Sequence, residues 1–182
     1  MPSDEQVMTE VQNGRLEMLA ILFERHHVRL YNFFLRLSGD RGLSEDLVQE
    51  VFLRVLKYRH SFRGDSTFSA WMYQIGRNAH IDQVRARKPE VPIDEVWEQE
   101  PSAAPGPERR LEGDQEADLL ARAMERLPLR KREVLLLSRF QELKYQEIAG
   151  MMACSVESVK VLVHRSLKEL RRHYLDLQGG AS

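Results

Sequence analysis

The chain reads as all-α: two small helical domains joined by a flexible acidic linker, with a helix-turn-helix in the C-terminal domain. Three observations predict this. Apolar residues recur at three- and four-residue spacing through both ends of the chain, and no segment shows the alternation of a half-buried strand. A proline-rich, acidic stretch at 88–113 interrupts that spacing once and separates domains of about 1–87 and 114–176. Residues 144–172, KYQEIAGMMACSVESVKVLVHRSLKELRR, read as two short helices around a tight turn, with bases along the outer side of the second.

In the first domain Leu16, Leu19, Ala20, Phe23, His27, Leu30, Tyr31, Phe34, Leu35 and Leu37 form a long apolar stripe. The residues before it, MPSDEQVMTEVQNGR, are polar and acidic, unlike a secretory signal. Gly39-Asp40-Arg41-Gly42 ends this helix, and Ser44 is the expected N-cap of the next, with Glu45 and Asp46 at the positive end of its dipole. Leu47, Val48, Val51, Phe52, Val55 and Leu56 then face inward, leaving Asp46, Gln49, Glu50, Leu53, Arg54 and Lys57 on the opposite face. That helix ends at about Arg59. Phe62-Arg63-Gly64-Asp65-Ser66-Thr67 is a loop, and a further helix covers about 67–87. Residues 66–88, STFSAWMYQIGRNAHIDQVRARK, mix the aromatics Phe68, Trp71 and Tyr73 with Arg77, Asn78, Arg85, Arg87 and Lys88. Rings hold bases turned out of a duplex, amides read their edges and arginines follow phosphates, so the mixture suits unpaired nucleic acid. Trp71, Ile75 and Ile81 also fit a core at their helical spacing, whereas Asn78, Arg85 and Arg87 do not.

The linker holds Pro89, Pro92, Pro101, Pro105 and Pro107, each lacking a backbone donor and disfavouring helix before it. From 89 to 118 ten carboxylates stand against two arginines. A short amphipathic turn at 93–97, IDEVW, reads equally as a docking element or as a local apolar cluster.

The second domain should contain helices at 114–127, 129–140, 145–152 and 155–175, with Pro128 at the start of the second, where proline is tolerated. Tyr145, Ile148, Ala149 and Met152 form the apolar face of the third. Ala153-Cys154 breaks the pattern, and Ser155 caps the fourth. Ala153 occupies a position where such turns use glycine in the left-handed region. Val156, Val159, Val163, Leu167 and Leu170 face inward, while Ser158, Lys160, His164, Arg165, Lys168 and Arg171 face outward. A helix anchored on one side and basic on the other fits the major groove of duplex DNA. The tail from Gln178 is expected to fray.

Composition narrows the function classes. With 182 residues, 42% hydrophobic and 30% charged, the chain can bury two small cores. No apolar run approaches the roughly 20 residues of a membrane span. Cys154 is the single cysteine, so neither an internal disulfide nor most structural zinc sites can form. The six histidines lack HxxxH or HExxH spacing. No nucleophile–base pair, paired carboxylates or phosphate loop is arranged for catalysis. These observations lead to an expectation of a cytoplasmic, non-enzymatic protein without metal or cofactor. The net charge of −1 conceals an acidic middle and a basic end, for 126–173 carries eleven Lys/Arg and five Glu.

The order DLVQEVFLRV, a Gly-Asp-Ser loop, FSAWMYQIGRNAHIDQVR, an acidic linker, LPLRKREVLLLSRF and YQEIAGMMACSVESVKVLVHRSLKEL resembles bacterial sigma factors of the small two-domain extracytoplasmic-function (ECF) group, over about residues 10–175. The resemblance implies that Asp46, Gln49, Glu50, Leu53, Arg54 and Lys57 grip the clamp of the RNA polymerase largest subunit. It implies that Phe62, Arg63, Gly64, Asp65, Ser66, Thr67 and Phe68, with Asn78, capture a flipped non-template base of the −10 element. Asp82, Arg85 and Arg87 would lie along that strand. The linker would thread polymerase channels, and the second domain would hold the polymerase flap. At the −35 element the implied contacts are Lys144, Tyr145, Gln146, Ser155, Glu157, Ser158, Lys160, Val161, His164, Arg165 and Lys168. An anti-sigma factor is a further implied partner, since such proteins are commonly held inactive by one. Glu157-Ser158 and Val161-Leu162 depart from the Gly-Thr and the small or basic residues common at those places. Two other readings remain open at this stage. A stand-alone helix-turn-helix regulator explains only 144–172, and a sigma mimic that never touches DNA leaves Asn78, Arg85, Lys160, Arg165 and Lys168 without a role.

Overall fold

The computed structural model describes residues 1–90, 92, 95 and 115–180, and every regular element among them is helical. The chain divides into two compact units, Met1–Pro89 and Glu90–Ser182. The turn at 93–97 and most of the 88–113 stretch lie outside the described residues.

The first unit begins with a helix that the polar N-terminal sequence did not announce, α1 (Asp4–Gln12). Ser3 Oγ accepts from the Gln6 N–H at 3.2 Å, and the Gln6 side chain accepts from the Ser3 N–H at 2.8 Å, so two terminal donors are satisfied reciprocally. Its narrow apolar stripe of Val7, Met8 and Val11 is wholly buried. After a 3₁₀ turn at Leu16–Met18 comes α2 (Leu19–Ser38), closed by Gly39 at φ 80° with its N–H on the Leu35 carbonyl at 2.9 Å. The apolar stripe of α2 is rotated from the expected one. Leu22, His26 and Phe33 are buried with Leu30, Phe34 and Leu37, whereas Leu16 and Phe23 stay exposed. The cause is α1, which docks on this side: Asp4 meets Arg25 at 2.7 Å and His26 at 2.6 Å. Burial alone would raise the Asp4 carboxyl, but hydrogen bonds from Arg25 and His26 and their charges hold it below the ordinary aspartate value.

Helix α3 (Arg41–Lys57) starts earlier than expected. Asp40, not Ser44, is its N-cap, accepting from the Leu43 N–H at 2.9 Å. Asp40 has the extended backbone a cap requires, immediately after the left-handed Gly39. Ser44 is buried and donates to the Asp40 carbonyl at 2.5 Å. Leu47, Val48, Val51, Phe52 and Val55 are buried as read, and Leu56 is half-buried. A 3₁₀ turn at Arg59–Ser61 leads through the loop to α4 (Phe68–Arg87), whose N-cap Thr67 accepts from the Ala70 N–H at 3.2 Å. α2 packs on α3 and α3 on α4. At Gly76 a Cβ would stand 3.1 Å from Phe34 Cζ and 3.5 Å from Val51 Cγ2, so the missing side chain permits this approach.

The second unit is built around its last helix. α5 (Gln115–Glu125), α6 (Leu129–Leu135, continuing through a π-helical turn at Leu136–Phe140) and α7 (Tyr145–Met151) all pack on α8 (Val156–Gly179). The core contains Leu127, Val134, Leu135, Leu136, Leu137, Ile148, Val159 and Val163. Leu167 lies outside it, 37% exposed, and Ser166 takes the inward place, its hydroxyl donating to the Leu162 carbonyl at 2.6 Å. Gln178 and Gly179 belong to α8 rather than to a frayed tail, and Leu177 beside them is buried. Among the described residues no helix is long and apolar enough to cross a membrane.

Candidate nucleic-acid interface

The outward face of α3 carries an apolar side chain among charges. Leu53 is 63% exposed, and Asp46, Gln49 and Lys57 are exposed around it. Lys57 Nζ lies 5.2 Å from the Tyr58 ring centre. Arg54 ties this face to the next helix: its Nε donates to Glu50 Oε1 at 2.6 Å and its Nη1 to Asp82 Oδ2 on α4 at 2.8 Å. Burial alone would lower the guanidinium's affinity for its proton, but hydrogen bonds and charges from Glu50 and Asp82 raise it. Asp82, expected along the −10 strand, thus also links α4 to α3.

At the N-terminus of α4 the loop has a buried base and an exposed tip. Phe62 and Phe68 are buried, so their side chains support the loop instead of presenting a surface. Their rings pack with Trp71, at 5.3 Å from Phe62 and 6.2 Å from Phe68. Trp71 is itself only half-buried. Arg63, Gly64, Asp65 and Thr67 are exposed and Ser66 half-exposed. Gly64 has φ 74°, and a Cβ there would meet nothing within 4 Å, so glycine answers a backbone requirement and not crowding. Along α4, Asn78 is exposed and its Oδ1 accepts from Gln74 Nε2 at 3.3 Å. Asn78, Asp82 and Arg85 follow one another at helical spacing on one exposed strip, and Arg87 beyond them lies 3.9 Å from Asp40.

In the second unit α7, the turn and α8 form the helix-turn-helix. The Lys144 N–H donates to Glu147 Oε2 at 2.9 Å at the start of α7, and Ser155 caps α8 by accepting from the Ser158 N–H at 3.1 Å. Ala153 has φ 50°, in the left-handed region that favours glycine. Val159, Val163 and Ser166 anchor the inner side of α8, while Lys160, Val161, His164, Arg165 and Lys168 are exposed, as are Lys144 and Gln146; Tyr145 is half-buried. Glu157 pairs with Lys160 at 2.8 Å, which offsets one positive charge at the start of the helix. A groove beside it is lined by Arg130, Cys154, Glu157, Ser158, Val161, Leu162 and Arg165. Arg130 was missed in the sequence because it belongs to α6, far from the motif along the chain. Lys131 braces α6 to α8 through Glu169 at 2.5 Å. Burial would raise that glutamate, but the lysine's hydrogen bond and charge hold it low.

Two helical units, one offering a loop and a polar strip and the other a basic recognition helix, define a protein built for nucleic acid. Comparison with known proteins makes the class specific. Residues 22–90 match the Sigma-70 region 2 family and residues 117–170 the Sigma-70, region 4 family. The chain is 32% identical over 155 residues to the ECF RNA polymerase sigma factor SigM of Bacillus subtilis, covering 84% of this chain and 93% of that one. It is 30% identical over 178 residues to the ECF sigma factor SigE of Mycolicibacterium smegmatis, covering 93% and 68%. The fold resembles CnrH in complex with the cytosolic domain of CnrY, with a TM-score of 0.69, 20% identity and coverage of 97% and 99%. It also resembles the sigma factor RpoE in complex with the anti-sigma factor NepR from Bartonella quintana, with a TM-score of 0.66, 24% identity and coverage of 89% and 96%. The chain belongs to the ECF subfamily of sigma-70 RNA polymerase sigma factors. It is a non-enzymatic factor that directs RNA polymerase in transcription initiation.

Proposed function

We propose that the two units divide promoter recognition between them, and that the first also opens the start site. Leu53 and its charged surround on α3 dock on the clamp of the polymerase largest subunit. A desolvated apolar anchor inside a polar ring is the pattern of an interface centre. The loop tip Arg63–Gly64–Asp65, with Asn78 beyond it, captures unpaired non-template bases of the −10 element, and Arg85 and Arg87 follow the strand. Capture needs only binding free energy, a few kcal/mol per base, to offset lost stacking. The outer face of α8 enters the −35 major groove with Lys160, His164, Arg165 and Lys168 toward the duplex, and Val161 is suited to a thymine methyl. The second unit holds the polymerase flap, and the acidic 88–113 stretch occupies a basic polymerase channel. Because the partner is core polymerase, the site of action is the cytoplasm, and an anti-sigma factor is the expected restraint.

The observation that carries the opening step is the exposed tip 63–65 on an aromatic base, at the head of a helix whose outward strip bears Asn78 and Arg85. Transcription in vitro with core polymerase on a promoter library, combined with permanganate mapping of unpaired thymines, tests it. The expected result is specific initiation that depends on this chain, with reactive thymines in the −10 region. Promoter-bound holoenzyme that leaves every −10 thymine paired would remove the capture step.

A further inference from the structure

Besides its Glu10–Arg15 pair, helix α1 makes three side-chain attachments, and two of them reach the ends of the loop. Gln12 Nε2 donates to the Arg59 carbonyl at 2.8 Å and to the Phe62 carbonyl at 2.7 Å, so one amide group ties the entry to the loop. Glu5 Oε1 accepts from the Phe68 N–H at 3.0 Å, the first backbone donor of α4 and the exit of the loop. Glu5 and Gln12 stand seven residues apart, two helical turns, and so share one face of α1. The third attachment, Asp4 to Arg25 and His26, fixes α1 to α2. Between the tied ends the tip 63–65 is exposed, as is Thr67, and a Cβ at Gly64 would meet no neighbour.

We propose that Gln12 and Glu5 are positioning residues for base capture: from a helix with no surface role in DNA binding they hold both ends of the 62–68 loop, so that the tip is shaped before an unpaired base arrives. The inference rests on the capture reading above. A loop already ordered loses less conformational freedom on binding, so the attachments act on affinity for the single strand and on the rate of opening. They should leave polymerase docking and −35 binding untouched, because neither α3's outward face nor α8 is attached to α1 through these bonds. Gln12 donates to both carbonyls, and a glutamate of the same shape has no proton to give and places a charge against them.

The test uses the full chain with core polymerase and a fluorescein-labelled single-stranded DNA carrying the −10 sequence found in the transcription experiment. Gln12→Glu should weaken binding of that strand and slow opening by about tenfold, and Gln12→Ala and Glu5→Gln by less. All three variants should keep wild-type affinity for polymerase and for −35 duplex. Val7→Ala, which destabilises α1 from its buried side, serves as the comparison at a matched fall in melting temperature and should change strand affinity less than twofold. Unchanged strand binding by Gln12→Glu, or an equal loss in Val7→Ala, overturns the positioning role. Failure of the wild-type holoenzyme to hold the strand overturns base capture itself, a distinguishable result.

Discussion

The two units build their surfaces by opposite means. In the second, the exposed face of α8 lies on one helix and the bonds at its start are local, with Ser155 to Ser158 and Glu157 to Lys160 three residues apart, while one long-range brace, Lys131 to Glu169, holds the helix from behind. In the first, the loop and the α3–α4 face depend on partners far away along the chain. Gln12 reaches 47 and 50 residues to Arg59 and Phe62, Glu5 reaches 63 to Phe68, and Arg54 reaches 28 to Asp82. A surface made by one helix tolerates changes one side chain at a time. A surface assembled from several elements can fail as a unit, because a displaced brace moves everything it holds.

The sharpest way to break this comparison is Leu53→Glu. Leu53 is 63% exposed, so the substitution should leave thermal unfolding within about 2 °C of wild type, as expected for a surface position. Docking on polymerase should fall by at least about thirtyfold, equivalent to roughly 2 kcal/mol, the threshold of an interface hot spot. Binding measured by fluorescence anisotropy checks both halves when paired with calorimetry. A large drop in melting temperature would make Leu53 part of the packing and remove the distinction between the inner and outer faces of α3.

Arg165→Ala makes the corresponding intervention on the second unit. Duplex promoter affinity of the holoenzyme should fall roughly tenfold, and the slope of log affinity against log salt should shrink by about one, as expected when one phosphate is no longer neutralised. Polymerase affinity should not change. If both affinities fall together, the two surfaces are not independent.

Legibility followed the same division. The outer face of α8 could be read from spacing alone, since Lys160, His164, Arg165 and Lys168 are exposed wherever Val159 and Val163 are anchored. Only Leu167 was misplaced, because Ser166, small enough to bond its own helix, takes the inward position. In the first unit the stripe of α2 was read one strip away from the true one, since its partner α1 had gone unrecognised. The signal existed in Ser3 with Gln6 and in Val7, Met8 and Val11, but three apolar residues in a polar run gain meaning only from what they pack on. Phe62 and Phe68 were placed in the DNA-capturing loop, with Phe68 also read as at least half buried, and both lie beneath the loop. Their sequence positions fit both roles, and burial decides. The bonds of Gln12 and Glu5 left no sequence signal, because nothing local pairs them with residues 59, 62 and 68.

Acidification should separate the units more finely. In the first unit Asp4 and Glu5 are both held below their ordinary values of 3.8 and 4.5, Glu5 chiefly by the Phe68 N–H, and in the second unit Glu169 is likewise held low. Carboxylates with lowered folded values add stability that is present above the ordinary values and lost as pH falls through the lowered ones. The melting temperature of the first unit should therefore drop below about pH 4.5, by about 5 °C more than that of an Asp4→Asn, Glu5→Gln variant over the same range. Calorimetry from pH 7 to pH 3 reads this directly. Identical pH curves for variant and wild type would mean that the Asp4 and Glu5 carboxylates add no pH-dependent stability, leaving α1 to its apolar residues and the Gln12 bonds.

The smallest expected effect comes from the turn of the helix-turn-helix. Ala153 holds φ 50°, where its Cβ crowds the following carbonyl, and glycine does not incur that repulsion. Ala153→Gly should remove about 1 kcal/mol of local strain, less what glycine loses through greater freedom in the unfolded chain, for a net gain of roughly 0.5 kcal/mol. The transition of the second unit should rise by about 2–4 °C while that of the first stays in place. Promoter affinity should be unchanged, since Ser155 caps α8 with or without the Ala153 side chain. A fall in stability would show that the alanine side chain contributes packing worth more than the strain. A shift in the first unit's transition would contradict the independence on which the comparison rests.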